Sequence, residues 1–347
     1  MRGSAPFARV FPSLALAACS AALPPARSRP APPVAPTAPA PVETSSAIAS
    51  SSEHFEFHGG LWLDLHHFLH VAARARMGTR DSQREAVSGV RQELAALATL
   101  PREERQPFEA ALDLYQHTLA PRDVLFDAEM RQLSAAIAAE ESHATFAADI
   151  DAGIAEALRA AEPAFRALWW SAHDRANRAW VAAMEPLLRE HEAALAARVA
   201  DTWSAAWPAA RLRVDVCAYA CWAGAYTVVG PTRITIGSFD PDLAGSHGLE
   251  TLFHEALHGL GSRVPALLER EARARGREVP RDLVHALLFY TAGDAVRRRI
   301  PEHVPYADAF GVWRRLEFHD LIERRWRPYL DGTSTLDAAL GAIVDEL

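Results

Sequence analysis

The segment His254-Glu255-Ala256-Leu257-His258 has the residue types and the spacing to hold a metal ion and to move a proton beside it. Residues four apart on an α-helix lie one above the other on one face, so the two imidazoles could reach a single ion. Glu255 would stand next to that ion, placed to take a proton from water and leave a nucleophile. The flanking residues supply the helix. Leu249, Leu252, Phe253, Ala256, Leu257 and Leu260 recur at helical period, which predicts one buried apolar stripe. His254 and His258 fall off that stripe with Thr251 and His247, so the histidine side is expected to face a cleft. Gly245 and Ser246 can open the helix, and Gly259 or Gly261 can close it.

Just upstream, Leu212 to Val216, Ala225 to Val229 and Arg233 to Ile236 are rich in Val, Ile, Thr and Tyr and predict short strands, punctuated by Gly224 and Gly230-Pro231. A small antiparallel sheet followed at once by an H-E-x-x-H helix resembles the core of the zincin metallopeptidases, over the stretch Leu212 to Arg299. The expected fold is α+β and mostly helical, with that sheet packed on the H-E-x-x-H helix and a helical lobe before it. The resemblance further implies one Zn2+ per chain, peptidase activity, and a sheet edge along which peptide substrates lie as an extra strand.

Catalytic zinc takes three protein ligands and water, so the branch of the superfamily turns on the third ligand. The metzincin pattern continues H-x-x-G-x-x-H. Gly261 fits it, but Val264 stands at the ligand position and every methionine precedes the motif, which leaves no Met-turn. The chain is more similar to the gluzincins, whose third ligand sits on a later helix. Asp282 to Ala292 predicts such a helix, and His285 is its metal-capable residue and the preferred ligand. Gluzincins use Glu at this place, so Glu278 and Asp294 remain alternatives.

In such a site zinc acidifies its water and polarises the scissile carbonyl, while Glu255 acts as general base and then acid. The resemblance implies an oxyanion donor from the segment after the third ligand. Tyr306, in the loop Pro301 to Phe310, is preferred; Tyr290 and His303 are the other candidates. Asp240, Asp242, Glu250 and Asp294 could orient the imidazoles. A second pair, His66 and His70, repeats the four-residue spacing, with His54 and His58 upstream. It has no carboxylate where Glu255 stands, and Trp62, Leu63, Leu65, Phe68 and Leu69 around it predict a buried helix instead.

The start of the chain bears on location. Arg2 and Arg9 precede a short apolar run, and Leu16-Ala17-Ala18-Cys19 resembles the lipobox of bacterial lipoproteins. The resemblance implies a signal peptide over 1–18 and lipidation of Cys19; Ser20 is similar to the residue found in lipoproteins sent to the outer membrane. Placement on the periplasmic face of that membrane through the lipid alone is therefore expected, with secretion the alternative. Residues 19–52, nearly all Ala, Pro, Ser, Thr and Val, read as an extended tether. A helical lobe over 53–208 and a metal-binding catalytic lobe over 209–347 complete the expected division. Cys217 and Cys221, in an exported chain and one tight loop, are expected to form a disulfide.

Charge excludes one partner class. The formal balance is −8, with 36 Arg and no Lys, and the arginines are scattered without a stripe for nucleic acid. Two functional classes follow from these residues. One is a tethered zinc hydrolase acting on a peptide, a protein or peptidoglycan; the other is a non-catalytic envelope lipoprotein that uses the same fold for binding. Glu255 favours the enzyme, because a binding module has no need of a base.

Overall fold

The computed structural model of the protein describes residues 48–347 except 79–84, 126, 140–149 and 262. The expected signal peptide, Cys19 and residues 19–47 of the tether lie outside the described residues. In chain order the elements are strands β1 (Ile48–Ser51) and β2 (Phe55–Gly59), then helices α1 (Leu61–Met77), α2 (Glu85–Leu94), α3 (Arg102–Thr118), α4 (Ala128–Ala139), α5 (Ala152–Phe165) and α6 (Ser171–Thr202). Strands β3 (Leu212–Cys217), β4 (Ala225–Val228) and β5 (Arg233–Gly237) follow, and then helices α7 (Gly245–Gly259), α8 (Arg263–Ala274) and α9 (Leu283–Arg299). The chain ends in α10 (Tyr306–Ala309), α11 (Trp313–Leu316), α12 (His319–Arg325), α13 (Arg327–Leu330) and α14 (Leu336–Asp345). The fold is α+β and mostly helical, as expected.

The sheet differs from the expected antiparallel one. It has five strands in the order β1-β2-β3-β5-β4, with β2–β3 and β3–β5 parallel and only the two outer pairs antiparallel. The three strands read from sequence are present. Strand β5, however, inserts between β3 and β4, and β2 arrives from far upstream to pair Phe55 with Leu212 and Phe57 with Val214. Local propensity marks a strand without naming its partner. The N-terminal end of the structure also departs from expectation, because residues 48–51 are not tether. Ile48 is buried, and β1 pairs with β2 along its length.

Two apolar clusters organise the packing. One gathers the sheet, α6, α7, α9 and the C-terminal helices; the other gathers α1 to α5. The boundary expected near residue 208 therefore does not follow the packing. Helix α6 belongs with the H-E-x-x-H helix, where Trp180 donates its indole N–H to the Leu243 carbonyl at 2.8 Å, while Cys217 to Trp222 sit in the helical cluster. On α7, Gly248 is required by close approach, because a Cβ there would lie 2.5 Å from the Leu243 carbonyl oxygen. The stripe Leu249, Leu252, Phe253, Ala256 and Leu257 is buried as expected. Thr251 and His254 on the histidine side are buried too, under α9, while His258 and Gly259 reach intermediate exposure and the first turn is open, exposed at Gly245 and intermediate at Ser246 and His247.

The chain after α9 is divided into the short helices α10 to α13, with Gly311 (φ 69°) and Glu317 (φ 56°) in the left-handed region between pieces. The cap of α14 is Thr335, whose hydroxyl accepts the Ala338 N–H at 3.3 Å. No helix among the described residues is long and apolar enough to cross a membrane.

Candidate metal centre

Packing of α7 against α9 brings His254, His258 and His285 together, and one potential ligand atom from each lies within 4.8 Å of the others. Their ring centroids form a nearly equilateral triangle of 5.1, 5.1 and 5.3 Å sides. The Nε2 atoms of His254 and His285 face each other at 3.1 Å. Two nitrogens bound tetrahedrally at zinc-like lengths stand about 3.3 Å apart, so this pair is already near coordination spacing. Burial lowers the basicity of all three rings, His258 to about 4, and His285 further depresses that of His254. Neutral imidazoles present lone pairs, the form a metal requires. His254 Nδ1 is buried without a hydrogen-bond partner, so nothing on its far side competes for that ring. The donor set fits a metal ion.

Glu255 lies on the same helix, fully enclosed. Burial pushes its carboxyl up to about 7, against the opposing hydrogen bond from Thr227. The Thr227 hydroxyl donates to Oε2 at 2.7 Å and also lies 3.0 Å from the Glu255 carbonyl oxygen. Thr227 belongs to β4, the outer strand of the sheet, so one side chain ties the carboxylate to the sheet edge.

Several expected members are elsewhere. Glu278 is exposed on the connector before α9 and stands outside the cluster. Asp294 is buried at the far end of α9, where it pairs with Arg298 at 2.6 Å and Arg198 at 3.5 Å. Tyr290 is turned away from the histidines, its hydroxyl bonded to Glu323 and 3.2 Å from Arg327. It is no oxyanion donor. Neither is His303, whose Nε2 and Nδ1 are taken by Glu250 at 2.6 Å and Ser246 at 2.8 Å. Glu250 in turn accepts the Tyr306 N–H at 2.8 Å, so it anchors the 300–306 loop and orients no ligand. Asp240 accepts the Asp242 N–H at 3.0 Å and caps a short turn before α7. Tyr306 stands one ring removed from the centre. It stacks on Phe289 at 6.1 Å and 15°, and Phe289 covers His254 at 4.1 Å and His285 at 4.7 Å.

The second histidine pair is structural, as expected. His66 is bonded to Tyr115 at 3.0 Å and Ser134 at 3.2 Å, and His70 faces the Arg122 carbonyl at 3.1 Å. The expected Cys217–Cys221 disulfide is not formed. The Cys217 thiol approaches the Tyr219 and Ile236 carbonyls, while that of Cys221 turns to the Ala225 carbonyl, so the sulfurs diverge within one buried loop. Two residues at the centre carry no pattern in the sequence: Thr227 and Phe289. No family model matches the chain, and no curated protein or solved structure is similar to it.

Proposed function

We propose that the protein is a zinc-dependent hydrolase of amide bonds, most simply a peptidase, held in the bacterial cell envelope by lipid on Cys19. The observation that carries this reading is a buried carboxylate, Glu255, next to a three-histidine cluster and pinned to a sheet edge by Thr227. Three neutral nitrogens suit zinc and leave a coordination position open. Bound there, zinc supplies a Lewis acid that polarises a carbonyl and acidifies water.

The chain's own residues do the rest. His254, His258 and His285 hold the ion without adding charge. Glu255 takes a proton from water and returns it to the departing amine nitrogen, with a carboxyl tuned near neutrality by burial. Thr227 keeps the carboxylate from swinging away. Strand β4, at the edge of the sheet beside α7, offers backbone groups to an extended peptide. Peptides, proteins and peptidoglycan stems all present amides of the right kind. Digestion of a mixed peptide library by the zinc-loaded protein, compared with Glu255→Gln, tests the proposal. A general base is worth about 100-fold or more, so Glu255→Gln should leave cleavage barely detectable. A digest unaltered by Glu255→Gln favours the reading in which the fold only binds.

A further inference from the structure

Three neighbouring residues of the loop after α9 are fixed at once. His247 on α7 bonds the Val304 carbonyl at 2.9 Å, Pro305 fills the space that a Cβ on Gly293 would take, and the Tyr306 N–H donates to Glu250 at 2.8 Å. Glu250 is buried, and its other oxygen, Oε1, has no hydrogen-bond partner. A buried carboxylate with an unanswered oxygen costs free energy. Departures of this kind gather where a surface must be held ready before its ligand arrives.

The surface that this loop presents is apolar. Tyr306 stacks on Phe289 at 6.1 Å, Phe310 packs on Tyr306 at 4.5 Å, and all three rings are partly exposed. Val304, two residues before Tyr306, is 53% exposed. Phe289 lies one turn after His285 on α9 and touches two of the three histidines, His254 at 4.1 Å and His285 at 4.7 Å. The rings therefore form a wall that begins at the metal centre and continues along the loop. Single exposed apolar groups need no explanation, but a contiguous set beside a site marks a contact surface.

We propose that Phe289, Tyr306 and Phe310 set the specificity of the hydrolase proposed above, by taking a large apolar side chain, aromatic best of all, from a residue flanking the scissile amide. This inference rests on that reading. Consecutive Cα atoms are about 3.8 Å apart, so with the scissile carbonyl at the ion the flanking residues are the ones within reach of rings that touch its ligands. A ring laid on this wall gains from buried area and again from ring–ring geometry. None of the three wall residues carries a charge to welcome an acidic or basic side chain.

The test uses the full chain, zinc-loaded, on a library of peptides blocked at both ends. Cleavage should favour Phe over Gly at one of the two positions flanking the cut by about tenfold or more in kcat/KM. Tyr306→Ser should erase most of that ratio and Tyr306→Phe should keep it, with bound zinc and melting temperature unchanged in both. No preference at either flanking position, or a ratio that survives Tyr306→Ser, overturns the wall and leaves the hydrolase standing. Binding separates the two readings in the other direction. In ligand-observed NMR titrations, with and without zinc, N-acetylphenylalaninamide should bind about tenfold tighter than N-acetylglycinamide, and Tyr306→Ser should remove the difference. That result without cleavage of any peptide supports the wall and counts against the hydrolase; equal binding of the two amides overturns the wall.

Discussion

Replacing His285 by leucine should separate a ligand from a structural histidine. The ring is buried, and its Nε2 faces the Nε2 of His254 at 3.1 Å. In metal-free protein the exchange takes the hydrogen-bond partner from the buried Nε2 of His254, so it should cost about 1–3 kcal/mol. With zinc the two proteins should part. An ion at about 1,000 times its dissociation constant stabilises the folded state by about 4 kcal/mol, and about 1 kcal/mol moves the melting temperature of a chain this size by about 2–4 °C. Wild type should therefore melt about 10 °C higher in zinc than in chelator, and His285→Leu should shift by no more than about 2 °C. His66→Leu is the contrast, because it strips partners from the Tyr115 and Ser134 hydroxyls. Leaving those groups buried costs about 1–3 kcal/mol with or without metal. Thermal melts of the three proteins decide the matter. A full zinc shift in His285→Leu, or loss of that shift in His66→Leu, would refute the reasoning.

Thr227→Val should lower kcat for peptide hydrolysis about tenfold while leaving bound zinc unchanged, and Thr227→Ser should restore most of it, since the lost group is one hydroxyl on Glu255. Equal losses in both variants would show that the methyl group, not the hydroxyl, matters. Stability should also depend on pH through His173. Burial works against its charge, but Asp64 at 2.7 Å and Glu93 at 3.1 Å outweigh it and raise the ring from 6.5 to about 9. A group that binds its proton more tightly when folded gives stability that is complete below about pH 6.5 and is lost as pH rises through about 9. Urea midpoints should fall over that window in wild type; a slope that persists in His173→Gln would assign the effect to another group.

The centre was legible where its signals were local. The apolar period from Leu249 to Leu260 and the histidine spacing specify α7, and an isolated histidine in the apolar run of α9 singled out His285. What failed depends on partners distant in sequence. Nothing near Phe55 states that it pairs with Leu212 across the whole helical region. Tyr290 and His303 were reasonable donors by position, but their side chains are claimed by Glu323 on α12 and Glu250 on α7, choices made by tertiary packing. Gly293 has a similar hidden role on α9. A Cβ there would lie 2.7 Å from Pro305, so the glycine lets the Tyr306 loop dock between α7 and α9. Spacing suggested a disulfide between Cys217 and Cys221, but the carbonyls around the loop draw the two sulfurs apart. Thr227 belongs to no motif, and only the fold places it beside Glu255.

Metal analysis of purified wild type, His254→Ala, His285→Ala and Glu255→Gln tests the three-histidine centre most directly. The account predicts about one zinc per chain in wild type and in Glu255→Gln, and little in either histidine variant, since catalytic zinc is held by three protein ligands. Undiminished zinc in His285→Ala, or none in wild type after growth in zinc, would contradict it.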